Sequence, residues 1–142
     1  MAKIKVLLVE DSAVAINIYE KMLNSSSHIE VIGKAEDGKQ GLDLVKALNP
    51  DVICADLQMP VMDGLEFTKQ VMAHHPTPIL VLSNAVQKSD IDNIYEVMKA
   101  GAVDVMAKPQ TAMGGSSESM QNELIVKIRV LATKKVKAIP LG

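Results

Sequence analysis

The sequence predicts an α/β fold with three layers, in which helices cover both faces of a parallel five-stranded sheet. Five short apolar segments alternate with five helical patterns, which is typical of doubly wound (βα)5 chains. Four of the apolar segments also run directly onto a polar residue. A chain of 142 residues that is 48% hydrophobic is about the size of one domain with a single core.

The strand patterns predict an order within the sheet. Val6–Val9, Val52–Ala55 and Ile79–Leu82 are unbroken apolar tetrads, as expected of parallel strands that are buried on both faces. Polar residues or glycine interrupt the other two segments, Ile29–Gly33 and Val103–Ala107. These two are expected at the edges, so right-handed crossovers give the order 2-1-3-4-5, with the switch point between strands one and three.

Each helix has an apolar face at helical spacing. Ser12 is a predicted N-cap for the first helix, and Asn49-Pro50 ends the second. Ser89 and Asp92 resemble a capping box before the fourth helix, which Gly101 is placed to end. The expected apolar positions, from the first helix to the fifth, are Val14, Ile18, Met22 and Leu23; Leu42, Val45 and Leu48; Leu65, Phe67, Val71 and Met72; Ile91, Ile94, Tyr95 and Met98; Leu124, Ile125, Ile128, Leu131 and Ala132.

Composition narrows the classes of partner. A net charge of −2 gives the chain no general attraction to nucleic acid or to a membrane surface. No apolar run approaches the length of a membrane span, and the run after Met1 is cut short by Glu10 and Asp11. The single cysteine, Cys54, lies inside an apolar strand and is expected to be a buried thiol, which fits a reducing cytoplasm.

Polar residues of different kinds follow four of the strands. Glu10 and Asp11 follow the first, Asp56 the third, Ser83 the fourth and Lys108 the fifth. The carboxyl ends of parallel strands share one edge of the sheet, where ligands bind in α/β proteins. The sequence therefore predicts one cleft with three carboxylates, a hydroxyl and an ammonium group, a set that suits a divalent cation and a phosphoryl group.

The predicted cation is Mg²⁺. Asp11 and Asp56 repel each other when both are ionised, and a hard cation with oxygen ligands relieves that repulsion. Asp56 can then attack phosphorus as a carboxylate nucleophile. Lys108 and the cation would screen the charge on the transferring phosphoryl oxygens, and Ser83 would donate a hydrogen bond to them.

Together these motifs resemble the receiver domain of two-component response regulators over nearly the whole chain. The matching pieces are Glu10-Asp11-Ser12, Asp56-Leu57-Gln58-Met59-Pro60-Val61-Met62-Asp63-Gly64, Ser83 and Lys108-Pro109. The resemblance implies a flavodoxin-like fold, a sensor histidine kinase as phosphodonor, and an output domain or partner protein that the receiver switches.

The resemblance also implies a role for each site residue. Asp56 corresponds to the phosphoacceptor, and Asp11, Asp56 and the backbone carbonyl of Gln58 to direct Mg²⁺ ligands. Glu10 would act mainly through a bound water. Ser83 corresponds to the hydroxyl switch residue and Lys108 to the lysine that contacts the phosphoryl group. The chain departs from the family at Val105, where an aromatic residue is usual.

Other segments are similar to the receiver of chemotaxis protein-glutamate methylesterases, among them Ile29–Ala35, Asn49–Val52 and Gly101–Asp104. No Gly-x-Ser-x-Gly nucleophile elbow occurs in the sequence, so the esterase domain is expected to be absent from this chain. We expect a receiver over residues 1–137 and the start of a linker over 138–142. The alternative is a stand-alone receiver that acts through protein–protein contacts.

The sequence lacks the motifs of two further classes of function. A phosphatase with an aspartate nucleophile would have a second acid two residues after the first, where Gln58 and Ala13 stand. A flavin or nucleotide module of the same fold would have phosphate loops rich in glycine and hydroxyl groups rather than bare acids. The sequence favours the receiver over both.

Overall fold

The computed structural model describes residues 3–57, 59–83, 88–107 and 117–141. Five parallel strands form one sheet: β1 (Ile4–Val9), β2 (Ile29–Ala35), β3 (Val52–Asp56), β4 (Ile79–Ser83) and β5 (Asp104–Ala107). The strand order is β2-β1-β3-β4-β5, as predicted. The strands with interrupted patterns, β2 and β5, lie at the two edges.

Five helices follow the strands in turn: α1 (Ala13–Asn24), α2 (Gly38–Leu48), α3 (Gly64–His74), α4 (Lys88–Lys99) and α5 (Ser117–Leu131). None of the helices that the structure describes is long and apolar enough to cross a lipid bilayer.

Side chains along each strand point alternately to the two faces, and this alternation divides the core. Leu8, Cys54 and Leu80 pack on the face that α1 and α5 cover. Leu7 and Ile53, one position away, pack on the other face with residues of α2, α3 and α4. Because both faces are covered, the three central strands need apolar residues at every position, which explains the unbroken tetrads.

Local sequence explains most helix ends. The predicted cap Ser12 accepts a hydrogen bond from the Ala15 amide at 3.2 Å. Asn49 adopts left-handed backbone (φ 50°) at the end of α2. Gly101 (φ 122°) ends α4. Two backbone hydrogen bonds close the turn: the Gly101 amide donates to the Met98 carbonyl and the Ala102 amide to the Val97 carbonyl, each at 3.1 Å. That pair is a Schellman turn, whose left-handed residue is usually glycine.

Two details differ from the sequence expectations. Val14 is 70% exposed, because the buried stripe of α1 runs through Ile16, Tyr19, Met22 and Leu23 instead. The helix α4 begins at Lys88, so Ser89 lies within its first turn rather than before it. Farther along the chain, Nζ of Lys127 on α5 forms an ion pair of 2.8 Å with Asp104 on β5.

Candidate functional site

Two acidic side chains lie next to each other at the carboxyl edge of the sheet. Val9 of β1 is in register with Ala55 of β3, so Glu10 and Asp56 are the following residues on adjacent strands. Only 2% of Glu10 and 3% of Asp56 is exposed. Charged residues are rarely buried to this extent unless another group compensates them, so the position itself indicates a function.

The backbone around Ser12 fixes the orientation of Glu10. The Glu10 amide donates to the Ala35 carbonyl on β2 at 2.9 Å, which continues the strand pairing beyond β1. Oε2 of Glu10 accepts a hydrogen bond of 3.0 Å from the Ser12 amide. Since the same serine caps α1, one residue both begins the helix and holds the carboxylate.

Asp11 completes an acidic cluster with Glu10 and Asp56. One carboxylate oxygen from each of the three residues lies within 4.8 Å of the others. Asp11 is exposed, whereas its two neighbours are buried, so the cluster opens to solvent on one side. Three hard oxygen donors that repel one another at this spacing fit a divalent cation such as Mg²⁺. The structure thus brings together the three acids that the sequence predicted.

Of the other predicted site residues, the structure describes Ser83 but not Gln58 or Lys108. Ser83 is the last residue of β4, is 3% exposed, and is in register with Ala107 on β5. It therefore lies at the same edge of the sheet as Asp56, whose register partner on β4 is Leu82. Gln58 and Lys108 lie outside the described residues, so their assigned roles remain predictions.

The loop between β3 and α3 folds back against the strand end that carries Asp56. The Gly64 amide donates to the Leu57 carbonyl at 2.8 Å. A Cβ atom on Gly64 would lie 2.7 Å from the backbone oxygen of Asp56, closer than real Cβ atoms approach. Glycine at this position lets the loop pack directly beneath the proposed phosphoacceptor.

Asp63, another acid of the same motif, has a structural role. Its Oδ1 accepts a hydrogen bond of 2.9 Å from the Glu66 amide and caps α3. Before it, Val61 adopts left-handed backbone (φ 68°), and the Met62 amide bonds to the Pro60 carbonyl at 2.7 Å. This three-residue γ-turn around an exposed β-branched residue is strained, and such strain is found mainly at functional sites.

Tyr19 is a neighbour of the site that the sequence analysis missed. Burial raises the pKa of its hydroxyl, and the carboxylates of Glu10 and Asp56 raise that pKa further. Burial also raises the pKa of the Cys54 thiol from 9.0 to about 12. The interior beside the acids therefore keeps both groups neutral. The α1 periodicity, shifted by one residue, was the signal that could have identified Tyr19.

Comparison with known proteins agrees with this geometry. The sequence pattern described as the response regulator receiver domain matches residues 6–113. A protein-glutamate methylesterase/protein-glutamine glutaminase of Methanococcus maripaludis is 41% identical over 137 residues, which cover 96% of this chain and 37% of that protein. The counterpart in Sulfurimonas denitrificans is 38% identical over 135 residues and is covered over 38% of its length. The chain thus spans less than two fifths of these relatives.

Solved structures give the same fold. The response regulator domain of Thermotoga maritima CheB has a TM-score of 0.82 and 31% identity, covering 94% of this chain and 98% of that one. The signal receiver domain of the response regulator NarL from Mycobacterium tuberculosis has a TM-score of 0.81 and 26% identity, covering 95% and 100%. Both resemblances extend over nearly the whole chain.

Proposed function

Since this chain belongs to the family of response regulator receiver domains, in its protein-glutamate methylesterase branch, we propose that Asp56 accepts a phosphoryl group from a sensor histidine kinase. The observation that carries the proposal is the acidic cluster of Glu10, Asp11 and Asp56 at the carboxyl edge of the sheet. Asp56 is the proposed nucleophile because it belongs to that cluster and ends the central strand β3, beside the loop that Gly64 allows to pack closely.

The transfer exchanges one bond to phosphorus for another. A carboxylate oxygen of Asp56 donates an electron pair to phosphorus while the P–N bond of the phosphohistidine breaks, and the pair of that bond stays on the imidazole nitrogen. Asp56 is in place for this attack because its strand is fixed on both sides, in register with β1 and β4. In the fixed strand, little reorganisation is needed before attack.

Bound Mg²⁺ would supply positive charge that offsets the acids and the transferring phosphoryl oxygens. Asp11 and Asp56 would hold it directly with the Gln58 carbonyl, and Glu10 would act through a water. The support for this assignment is the spacing of the three carboxylates and the hydrogen bond that orients Glu10. Ser83 and Lys108 would contact the phosphoryl oxygens.

The signal would leave the site through α4. Ser83 ends β4, and the chain that follows it leads to α4, where Tyr95 is 65% exposed and Met98 is 39% exposed. Val105 stands on β5 among the residues packed on the core, so no large ring is available there to swing inward. The response is a population shift between two packings, biased by a new Ser83 hydrogen bond.

We further propose a cytoplasmic protein in which this receiver controls a methylesterase output domain. The support is the name shared by the relatives and the small part of them that the chain covers. A stand-alone receiver is the alternative. Immunoblotting of the source cells separates the two, because a stand-alone receiver runs near 15.3 kDa and a receiver with an attached domain runs far above that mass.

Beryllofluoride, a small tetrahedral mimic of a phosphoryl group, tests the proposed site by NMR. With Mg²⁺ present, backbone shifts should appear around Asp56 and spread over residues 83 to 106; without Mg²⁺ they should be absent. Ser83→Ala should bind the mimic and lose most of the propagated shifts, whereas the control Ser25→Ala, at the end of α1, should respond like the parent. Binding of a flavin with no response to beryllofluoride would refute the proposal.

A further inference from the structure

The C-terminal tail crosses from one face of the sheet to the other. The helix α5, which packs on the α1 face, ends at Leu131. Eight positions later, the Ile139 amide donates a hydrogen bond of 2.9 Å to the Met72 carbonyl near the end of α3. Since α3 packs on the opposite face, the intervening residues lead from one face of the sheet to the other. The tail is therefore attached to helices that are distant from it in sequence.

The attachment point is the turn that ends α4. A Cβ atom added to Gly101 would lie 2.9 Å from Cδ1 of Ile139 and 2.8 Å from Cγ of Met72. Ile139 thus packs over the left-handed glycine of the Schellman turn and beside α3. Ile139 therefore contacts the ends of both helices, with its side chain at Gly101 and its amide at the Met72 carbonyl.

Residues 139–141 also form one wall of a groove between these helices. The groove has a volume of about 500 Å³, and its other walls are Glu66, Lys69 and Gln70 of α3 and Glu96, Lys99 and Ala100 at the end of α4. Ile139 stays 41% exposed and Leu141 47% exposed. A contact with one backbone hydrogen bond and partly exposed apolar side chains is weak enough to open without unfolding the domain.

We propose that residues 139–141 form a latch that holds the end of α4 against α3 in the unphosphorylated protein and is released on phosphorylation. This inference rests on the proposed phosphorylation of Asp56. The latch contacts are made to the packing of α4 that the structure shows, through Ile139, Met72 and Gly101. A change that favours another packing of α4 therefore weakens the latch.

The helix itself connects the two ends of the domain. Ser83, at the phosphoryl edge, leads into the start of α4, and the latch contacts the turn at its end. A helix of 12 residues is about 18 Å long and moves as a rigid rod, so a shift at its start also displaces its end. The two events are thermodynamically linked. If phosphorylation weakens the docking of the latch by a given factor, removal of the latch should tighten binding at the phosphoryl site by the same factor.

Amide hydrogen exchange followed by NMR tests the latch in the chain of 142 residues. Without a phosphoryl mimic, the Ile139 amide should exchange roughly fivefold more slowly than the amide of Lys137, since it donates one hydrogen bond. Addition of beryllofluoride and Mg²⁺ should remove this protection. Ile139→Asp should remove it as well and should tighten beryllofluoride binding roughly fivefold, near the low end of coupling between sites.

Ala138→Asp is the matched control, because it places the same charge on an exposed neighbour and should change neither quantity. If beryllofluoride shifts the Asp56 region while the Ile139 amide stays protected, the latch proposal is wrong and the phosphorylation site stands. If beryllofluoride does not bind, both fail together. Equal binding by Ile139→Asp and Ala138→Asp also contradicts the latch.

Discussion

The two ends of the sheet are built on opposite principles. At the carboxyl edge, Glu10 and Asp56 are buried and crowded together, with a carboxylate oxygen of Asp11 within 4.8 Å of theirs. At the amino edge β2, β3 and β4 begin on the buried apolar residues Ile29, Val52 and Ile79, and the Asp51 carboxylate accepts a hydrogen bond of 2.9 Å from the Lys5 amide.

This difference separates stability from activity. Like charges held together by the fold oppose folding until a ligand neutralises them. The acidic cluster therefore lowers the stability of the metal-free domain and favours the binding of a cation. The amino edge contributes apolar burial and satisfied hydrogen bonds, which stabilise the domain. Substitutions at the amino edge should therefore lower the free energy of unfolding and leave phosphorylation in place. Substitutions in the acidic cluster should raise the metal-free free energy of unfolding and remove phosphorylation.

The largest effect on stability is expected at the amino edge. Ile79 begins β4 and is fully buried, so Ile79→Ala should lower the free energy of unfolding by about 2 to 5 kcal/mol. Ile79→Val, which removes a single methyl group, should cost about 0.5 to 1.5 kcal/mol. Urea unfolding measures both. The folded fraction of each variant should still accept one phosphoryl group from acetyl phosphate, and a lower stoichiometry would mean that the two ends are not independent.

The apolar interior between the two ends should keep the Cys54 thiol from ionising, and the stability of the protein at alkaline pH tests this. Burial raises the pKa of Cys54 from 9.0 to about 12, so below pH 9 its contribution to stability is fully present. Between those values the unfolded chain loses the proton and the folded protein keeps it, so stability falls by about 1.4 kcal/mol per pH unit.

Cys54→Ala should remove that component of the slope, measured by urea unfolding between pH 8 and about 11. Exposed residues such as Lys135 provide a control, because Lys135→Ala should leave the Cys54 component in place. An identical slope in Cys54→Ala and the parent would indicate that the thiol ionises in the folded state.

A smaller and opposite effect is expected at the carboxyl edge. Asp11→Ala removes one of three repelling carboxylates, so it should raise the metal-free stability by up to about 1 kcal/mol, less than a buried pair would give because Asp11 is exposed. Mg²⁺ should stabilise the parent and not the variant, and phosphorylation of the variant should be mostly lost.

Thermal unfolding with and without Mg²⁺ measures the effect of this substitution. Asp51→Ala is the control at the other end, since that carboxylate caps the Lys5 amide and its loss should destabilise the protein in both buffers alike. An Asp11→Ala variant that retains the full stabilisation by Mg²⁺ would contradict the ligand assignment.

The sequence was most informative at the centre of the sheet. Strands buried on both faces need apolar residues at every position, so Val52–Ala55 identified a central strand and placed Asp56 at its end. The same reasoning placed Ser83 at that edge and the interrupted strands at the sides. These predictions were correct because burial on two faces leaves little choice of residue.

Sequence reasoning was weaker where an interaction depends on distant packing. Val14 and Tyr19 both fit a helical period, and only the packing of α1 against the sheet decides that Tyr19 is buried and Val14 exposed. The contact of Ile139 with Met72 joins segments far apart in sequence, with no periodicity to indicate it. The division between receiver and linker at residue 137 remains a prediction.

Mass spectrometry after treatment with acetyl phosphate and Mg²⁺ tests the central claim most directly, because it locates the phosphoryl group on the chain. The parent should gain a single phosphoryl group, which maps to the peptide that contains Asp56. Asp56→Asn should gain none, and Asp63→Asn, which alters the helix cap of the same loop, should still be phosphorylated. A phosphoryl group on His74 or Ser83, or full phosphorylation of Asp56→Asn, would contradict the account.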